Sequence, residues 1–132
     1  MILSSIDFES IEWQPTPSPG VYVYCIREKR RQGEEIPRFT AHAVRVDPNH
    51  EIGLHYHIRE EGWVERLVFP NGGNFEFRRG DNINHYSDPT KTHERIKPYE
   101  IYAIKNRGDV PLYFFSIMKP GFTGFGEIIS VK

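Results

Sequence analysis

Cys25 is the single cysteine in 132 residues, so no internal disulfide can form. That suits a reducing compartment. No apolar run is long enough to cross a bilayer as a helix, and the first residues lack the basic-then-apolar order of a secretory signal. Neither sign of charge dominates. Seventeen Lys and Arg stand against eighteen Asp and Glu, for a formal net charge of -1. This removes the general electrostatic case for nucleic acid or an anionic membrane as a partner. Internal repeats, low-complexity tracts and any ten-residue amphipathic helical pattern are also missing. These absences describe a soluble, cytoplasmic chain with no nucleic-acid or membrane partner.

What is present favours strands. Ten prolines and eleven glycines punctuate a sequence rich in aromatic and β-branched residues. The length suits one domain, which buries about two-thirds of its unfolded surface without staples. We divide residues 1–132 into an N-terminal arm (1–19), a core (20–118) and a C-terminal tail (119–132). Residues 79–98 form an insertion loop within the core.

The arm alternates Ile6, Phe8, Ile11 and Trp13 loosely with acidic residues, compatible with a short strand or a helical turn. The run Pro15-Thr16-Pro17-Ser18-Pro19-Gly20 then breaks regular structure. Strands are predicted over 21–26, 39–46, around His55 and His57, and over 62–69, 74–78, 99–104 and 112–118. Charged residues 27–35 read as a hairpin tip, with Lys29, Arg30 and Arg31 as a solvated turn. Asn71-Gly72-Gly73 is a tight-turn signal, because such turns need φ > 0. Residues 82–97 show little periodicity and read as a lid or binding loop. The glycine-rich tail reads as a flexible closing segment. Short strands joined by Gly, Pro and Asn turns make an all-β antiparallel sandwich or barrel.

The chemistry concentrates at Gly53-Leu54-His55-Tyr56-His57, followed by Glu61. Residues i and i+2 of a strand share a face, so His55 and His57 can point into one cavity about 6–7 Å apart. Two imidazoles and a carboxylate form a usual ligand set for Fe, Mn, Ni or Zn. Trp63 and Glu65 fall on the strand face of Glu61 and can line the same pocket. Burial that raised the Glu65 pKa would make it a general base. His42 shares the inward face of Val44 and Val46.

Residues 44–57 resemble the first motif of the cupin superfamily, with a strand, a proline turn and a His-x-His pair in that order. Glu61 stands where that motif has its glutamate. Asn106-Arg107-Gly108-Asp109-Val110-Pro111-Leu112 resembles the turn into the last core strand of many cupins. Three positions depart from the pattern. Asn49 replaces a glycine, a change the left-handed tolerance of Asn accommodates. Val68 replaces a second glycine. Tyr102 stands where the second motif has its last histidine. The resemblance implies a jelly-roll cupin barrel, a homodimer, and a divalent transition metal on His55, His57 and Glu61. His93, or else His85 or Tyr102, would complete that set.

By the same resemblance the function is that of a metal-dependent enzyme, dioxygenase-like or an isomerase or lyase. Its substrate would be a small acid, carbonyl compound or sugar. Two alternatives stay open. In a metal-free epimerase or ketoisomerase, Tyr102 would move protons with His55 or His57, and Arg45, Arg66 or residues 29–31 would hold phosphates. In a non-catalytic barrel, the interior would bind a small ligand without converting it.

Overall fold

The computed structural model describes residues 6–131. Met1–Ser5 of the N-terminal arm and Lys132 of the tail lie outside them. The strands, in chain order, are β1 (Gln14–Pro15), β2 (Val21–Lys29), β3 (Phe39–Val46), β4 (Glu51–His57), β5 (Val64–Phe69) and β6 (Phe75–Arg79). There follow β7 (Asn82–Tyr86), β8 (Thr92–Ile96), β9 (Tyr102–Asn106), β10 (Leu112–Lys119) and β11 (Ile128–Ser130). One sheet has the order β1-β2-β3-β10-β5-β8 and the other β11-β4-β9-β6-β7. All pairings are antiparallel. From β3 onward the chain changes sheet at every connection except β6 to β7. This is the path of a jelly roll, as the strand and turn pattern implies. Among the described residues no helix is long and apolar enough to cross a membrane.

The period-2 pattern sets what lies between the sheets. On β5, Glu65, Leu67 and Phe69 are buried while Arg66 is exposed. On β9, Tyr102, Ile104 and Asn106 are buried. The ring of Phe69 stacks on Phe75 at 4.3 Å and tilts against Phe114 at 4.8 Å. Each fully buried phenylalanine contributes about 1.5–3 kcal/mol. These rings fill one part of the interior and leave another part open.

The turns behave as their residues dictate. Asn49 adopts φ 64, the left-handed conformation a glycine would otherwise supply. The Asn106 side chain donates to the Val46 and Val110 carbonyls, both at 2.9 Å, and accepts from Gly108 N–H. It thereby fastens the turn into β10. Arg30 bonds to Glu28 and to the Glu34 and Glu35 carbonyls, so the basic cluster holds its own hairpin tip together.

Several boundaries differ from the sequence reading. The arm forms a 3₁₀ turn, Phe8–Ser10, before the two-residue β1. Strand β2 continues to Lys29, three residues into the predicted tip. Residues 82–97 hold two strands, β7 and β8, in place of a loop. Both lie at sheet edges, where half the neighbours are missing and exposed positions dilute the alternation. Arg79 braces them, bonding Glu94 at 2.9 Å and Glu100 at 2.6 Å, while Tyr86 bonds Glu94. The strand predicted from Tyr99 begins at Tyr102, because Tyr99 takes φ 62. The tail is also structured: a 3₁₀ turn, Phe125–Glu127, leads into β11, which pairs with β4.

Gly72 shows how tightly the turn that carries the chain from β5 to β6 is set. It has φ 62, and a Cβ there would stand 2.3 Å from the Asp88 carbonyl oxygen. Gly72→Ala is expected to lower stability by about 1–3 kcal/mol, the usual cost of a left-handed non-glycine residue. Urea unfolding of the two proteins checks it.

Candidate functional site

A cavity of about 510 Å³ opens between the sheets, within the usual range for small-molecule sites. The small sheet contributes His55 and His57 from β4 and Tyr102 from β9. The large sheet contributes His42 from β3, Glu65 from β5 and Ser116 from β10. The register explains the convergence. His55 pairs with Tyr102, and alternation turns His57 inward one step further along β4. Phe122 and Phe125 of the tail also border the space.

His57 is 2% exposed and is held from behind. Its Nδ1 lies 2.5 Å from Glu127 Oε2. The other Glu127 oxygen accepts from Arg59 at 2.9 Å and from the Thr123 amide and hydroxyl at 2.9 and 2.8 Å. Burial alone would raise the Glu127 pKa. The hydrogen bonds from His57 and Thr123 outweigh it and hold the carboxyl below its ordinary value. A carboxylate at Nδ1 puts a proton there, so in the neutral imidazole it is Nε2 that carries the lone pair. That Nε2 lies 3.4 Å from the Tyr102 hydroxyl and 3.6 Å from Glu65 Oε1, too far for a strong bond to either. His55 is set in the same way, with Nδ1 2.7 Å from the Gly53 carbonyl. Burial lowers the pKa of His55 and of His42, so both imidazoles are neutral near pH 7.

Glu65, 2% exposed, accepts from two hydroxyls. Tyr102 donates to Oε1 at 2.6 Å and Ser116 to Oε2 at 2.5 Å. Burial, then the Glu65 carboxylate, pushes the Tyr102 pKa well up, so the phenol keeps its proton.

No family model matches the chain, and no curated protein gives a significant match. Solved structures do resemble it. KdgF from Halomonas sp. superposes with a TM-score of 0.64 at 14% identity, over 86% of this chain and 90% of that one. An uncharacterized protein from Klebsiella pneumoniae with a double-stranded β-helix domain gives 0.64 at 18% identity, over 90% of each chain. The cupin domain of Cnp3 from Schizosaccharomyces pombe gives 0.62 at 11% identity, over 86% of this chain and 72% of that one. This chain has the cupin fold.

Within the cupin barrel, the structure brings together His55, His57, Glu65 and Tyr102 of the residues singled out from sequence. Trp63 is buried but does not line the cavity. It packs behind His57 at 5.1 Å, under the Arg59 guanidinium. Glu61 is exposed, which corrects its expected place beside the histidines. Strand β4 ends at His57, and Gly62 at φ 94 turns the chain before β5 starts, so the alternation does not carry Glu61 inward. His93 and His85 are exposed on the edge strands β8 and β7 and do not reach the cavity. Arg45 and Arg66 also lie outside it. Arg45 bonds Asp47 and covers the Tyr22 ring.

Sequence reasoning missed Glu127 and Ser116. Ser116 carried a signal, as the one polar residue in an otherwise apolar run from Leu112 to Met118. For Glu127 the hint was weaker: the Ile128-Ile129 pair after the glycines marks a short strand.

The cupin resemblance implied a divalent metal. Among the described residues no group of three or more His, Cys, Asp and Glu side chains is arranged to hold one. Two Nε2 lone pairs are available, but each oxygen of Glu65 already carries a hydroxyl proton. With Glu61 and His93 turned away, the donor set does not fit the ion.

The shifts fix the pH dependence of stability. His42 and His55 have folded pKa values below the ordinary 6.5. The unfolded chain therefore binds protons that the folded chain refuses, and stability falls as pH drops below about 6.5. Glu127 adds stability that is fully present above its ordinary 4.5 and is lost as pH falls through its lower folded value. Urea midpoints should decline across both windows. Glu127→Gln should abolish the lower decline and cost about 3–5 kcal/mol at pH 7, since it strips a buried partner from Arg59 and His57.

Proposed function

We propose that this cupin barrel is an enzyme of the isomerase kind that moves a proton on a small molecule, with His57 taking and returning the proton. The carrying observation is the buried Glu127–His57 pair at the wall of a largely apolar cavity of about 510 Å³, with the His57 Nε2 held by no more than the long 3.4 Å contact to Tyr102. A substrate proton transfers to Nε2. The imidazolium so formed is stabilised by Glu127, whose low pKa keeps it ionised. The proton then returns to a second atom of the same substrate, so no electrons are gained or lost. General acid–base catalysis of this type supplies about 10²–10⁴-fold in rate.

Tyr102 and Glu65 serve as positioning residues. Their 2.6 Å bond places the phenol oxygen beside Nε2, where it accepts from the imidazolium once His57 is protonated. Glu127 acts through His57, and Arg59 fixes Glu127 in place. Phe122 and Phe125 add apolar surface at the border of the cavity. The dioxygenase and lyase readings find no ligand set among the described residues. The phosphate-holding variant of the epimerase reading finds no arginine or lysine among the residues that line the cavity.

The test uses protein in excess chelator and D2O, with a panel of neutral hydroxyketones and keto acids. NMR should show deuterium entering a carbon of at least one compound, with His57→Ala slower by about 10²–10⁴-fold. Exchange that disappears on chelation and returns with added metal, or that survives His57→Ala unchanged, overturns the proposal.

A further inference from the structure

We infer that the cavity takes an uncharged molecule with an apolar body and hydroxyl groups, such as an enol, phenol or alcohol, and rejects carboxylates and phosphates. This deepens the acid–base reading and rests on it for which wall the ligand faces.

The charge balance of the lining carries the argument. Of the residues that border the cavity none is Lys or Arg, while Glu65 stands inside and Glu51 at the rim. The Arg59 guanidinium behind His57 is spent on Glu127 and the Gly121 carbonyl. His42 and His55 are neutral, so they bring no positive charge. An oxyanion entering here would lose its water shell without a counter-charge, a cost that buried carboxylates do not meet unpaired.

The hydrogen-bond inventory points the same way. Beside His57, the hydroxyl protons of Tyr102 and Ser116 are already committed to Glu65, and the other lining hydroxyls belong to Thr16, Ser18 and Ser130, outside this cluster. The Nε2 atoms of His55 and His57 offer lone pairs, because both Nδ1 atoms hold the proton against an acceptor. Against the His55, His57 and Glu65 face, a ligand must therefore bring the protons itself. An ammonium group would also bring them, but each Glu65 oxygen already accepts from a hydroxyl, so the carboxylate gives a cation less than an unsatisfied one would to offset its desolvation. Across the space, neutral His42 keeps one N–H for a carbonyl or ether oxygen. Val23, Val44, Leu67, Ile104, Phe114 and Met118 supply the apolar wall.

Matched probes test this on the intact chain: benzyl alcohol, benzoate, benzylammonium and toluene, titrated at pH 7.5. Binding is followed by ligand-observed NMR and by the imidazole ¹⁵N shifts of His55 and His57. Benzyl alcohol should bind at least tenfold more tightly than benzoate and than benzylammonium, and more tightly than toluene. It should also move the Nε2 resonances. Benzoate or benzylammonium matching the alcohol overturns the inference, as does an absence of binding by all four. Alcohol-selective binding without deuterium exchange upholds the ligand class while the catalytic reading fails. Exchange only with keto acids, together with benzoate preference, does the reverse.

Discussion

One carboxylate near the end of the chain organises the interior. Glu127 receives His57 on one oxygen and Arg59 and Thr123 on the other. Burying a charge is costly unless it is paired and hydrogen-bonded on every side, and here four donors meet it. The same bonds fix the rotation of the His57 ring and choose its tautomer. They also tie the tail to the segment after β4, because Arg59 bonds the Gly121 and Pro120 carbonyls as well as Glu127. Orientation of the histidine and closure of the barrel are therefore one event.

The second polar cluster works by opposite means. Glu65 has no lysine or arginine against it, and its oxygens are satisfied by the hydroxyls of Tyr102 and Ser116. The cluster joins β5 and β10 of one sheet to β9 of the other, so it also fixes the distance between sheets at the cavity. The acid that faces the two imidazoles is thus held by a hydroxyl network. The tyrosine at the position of the usual last histidine is part of that network. A phenol whose pKa is pushed up keeps its proton, so it can donate to the carboxylate and is a poor ligand for a cation.

Much of this was legible from the residues. The inward pairing of His55 with His57 follows from a two-residue period and Glu65 from the same rule on β5, while Tyr102 was singled out by its place in the resembled motif. Asn49 and the Asn71-Gly72 turn announced themselves through the backbone conformations they tolerate. Glu61 misled because a motif spacing was carried across a turn whose geometry the spacing does not encode. Strands β7 and β8 were hidden because edge strands bury only part of one face, so the sequence loses its alternation there.

The sequence by itself determined that this would be an all-β chain, which strands would form most of its core, and which two histidines would share a face. Those are local matters, set by a period of two and by residues that accept or refuse φ > 0. Only the tertiary structure decided what the histidines face. Glu127 lies 70 positions from His57, and Ser116 lies 51 from Glu65. Contacts at such separations depend on sheet order and register, which no short-range pattern records.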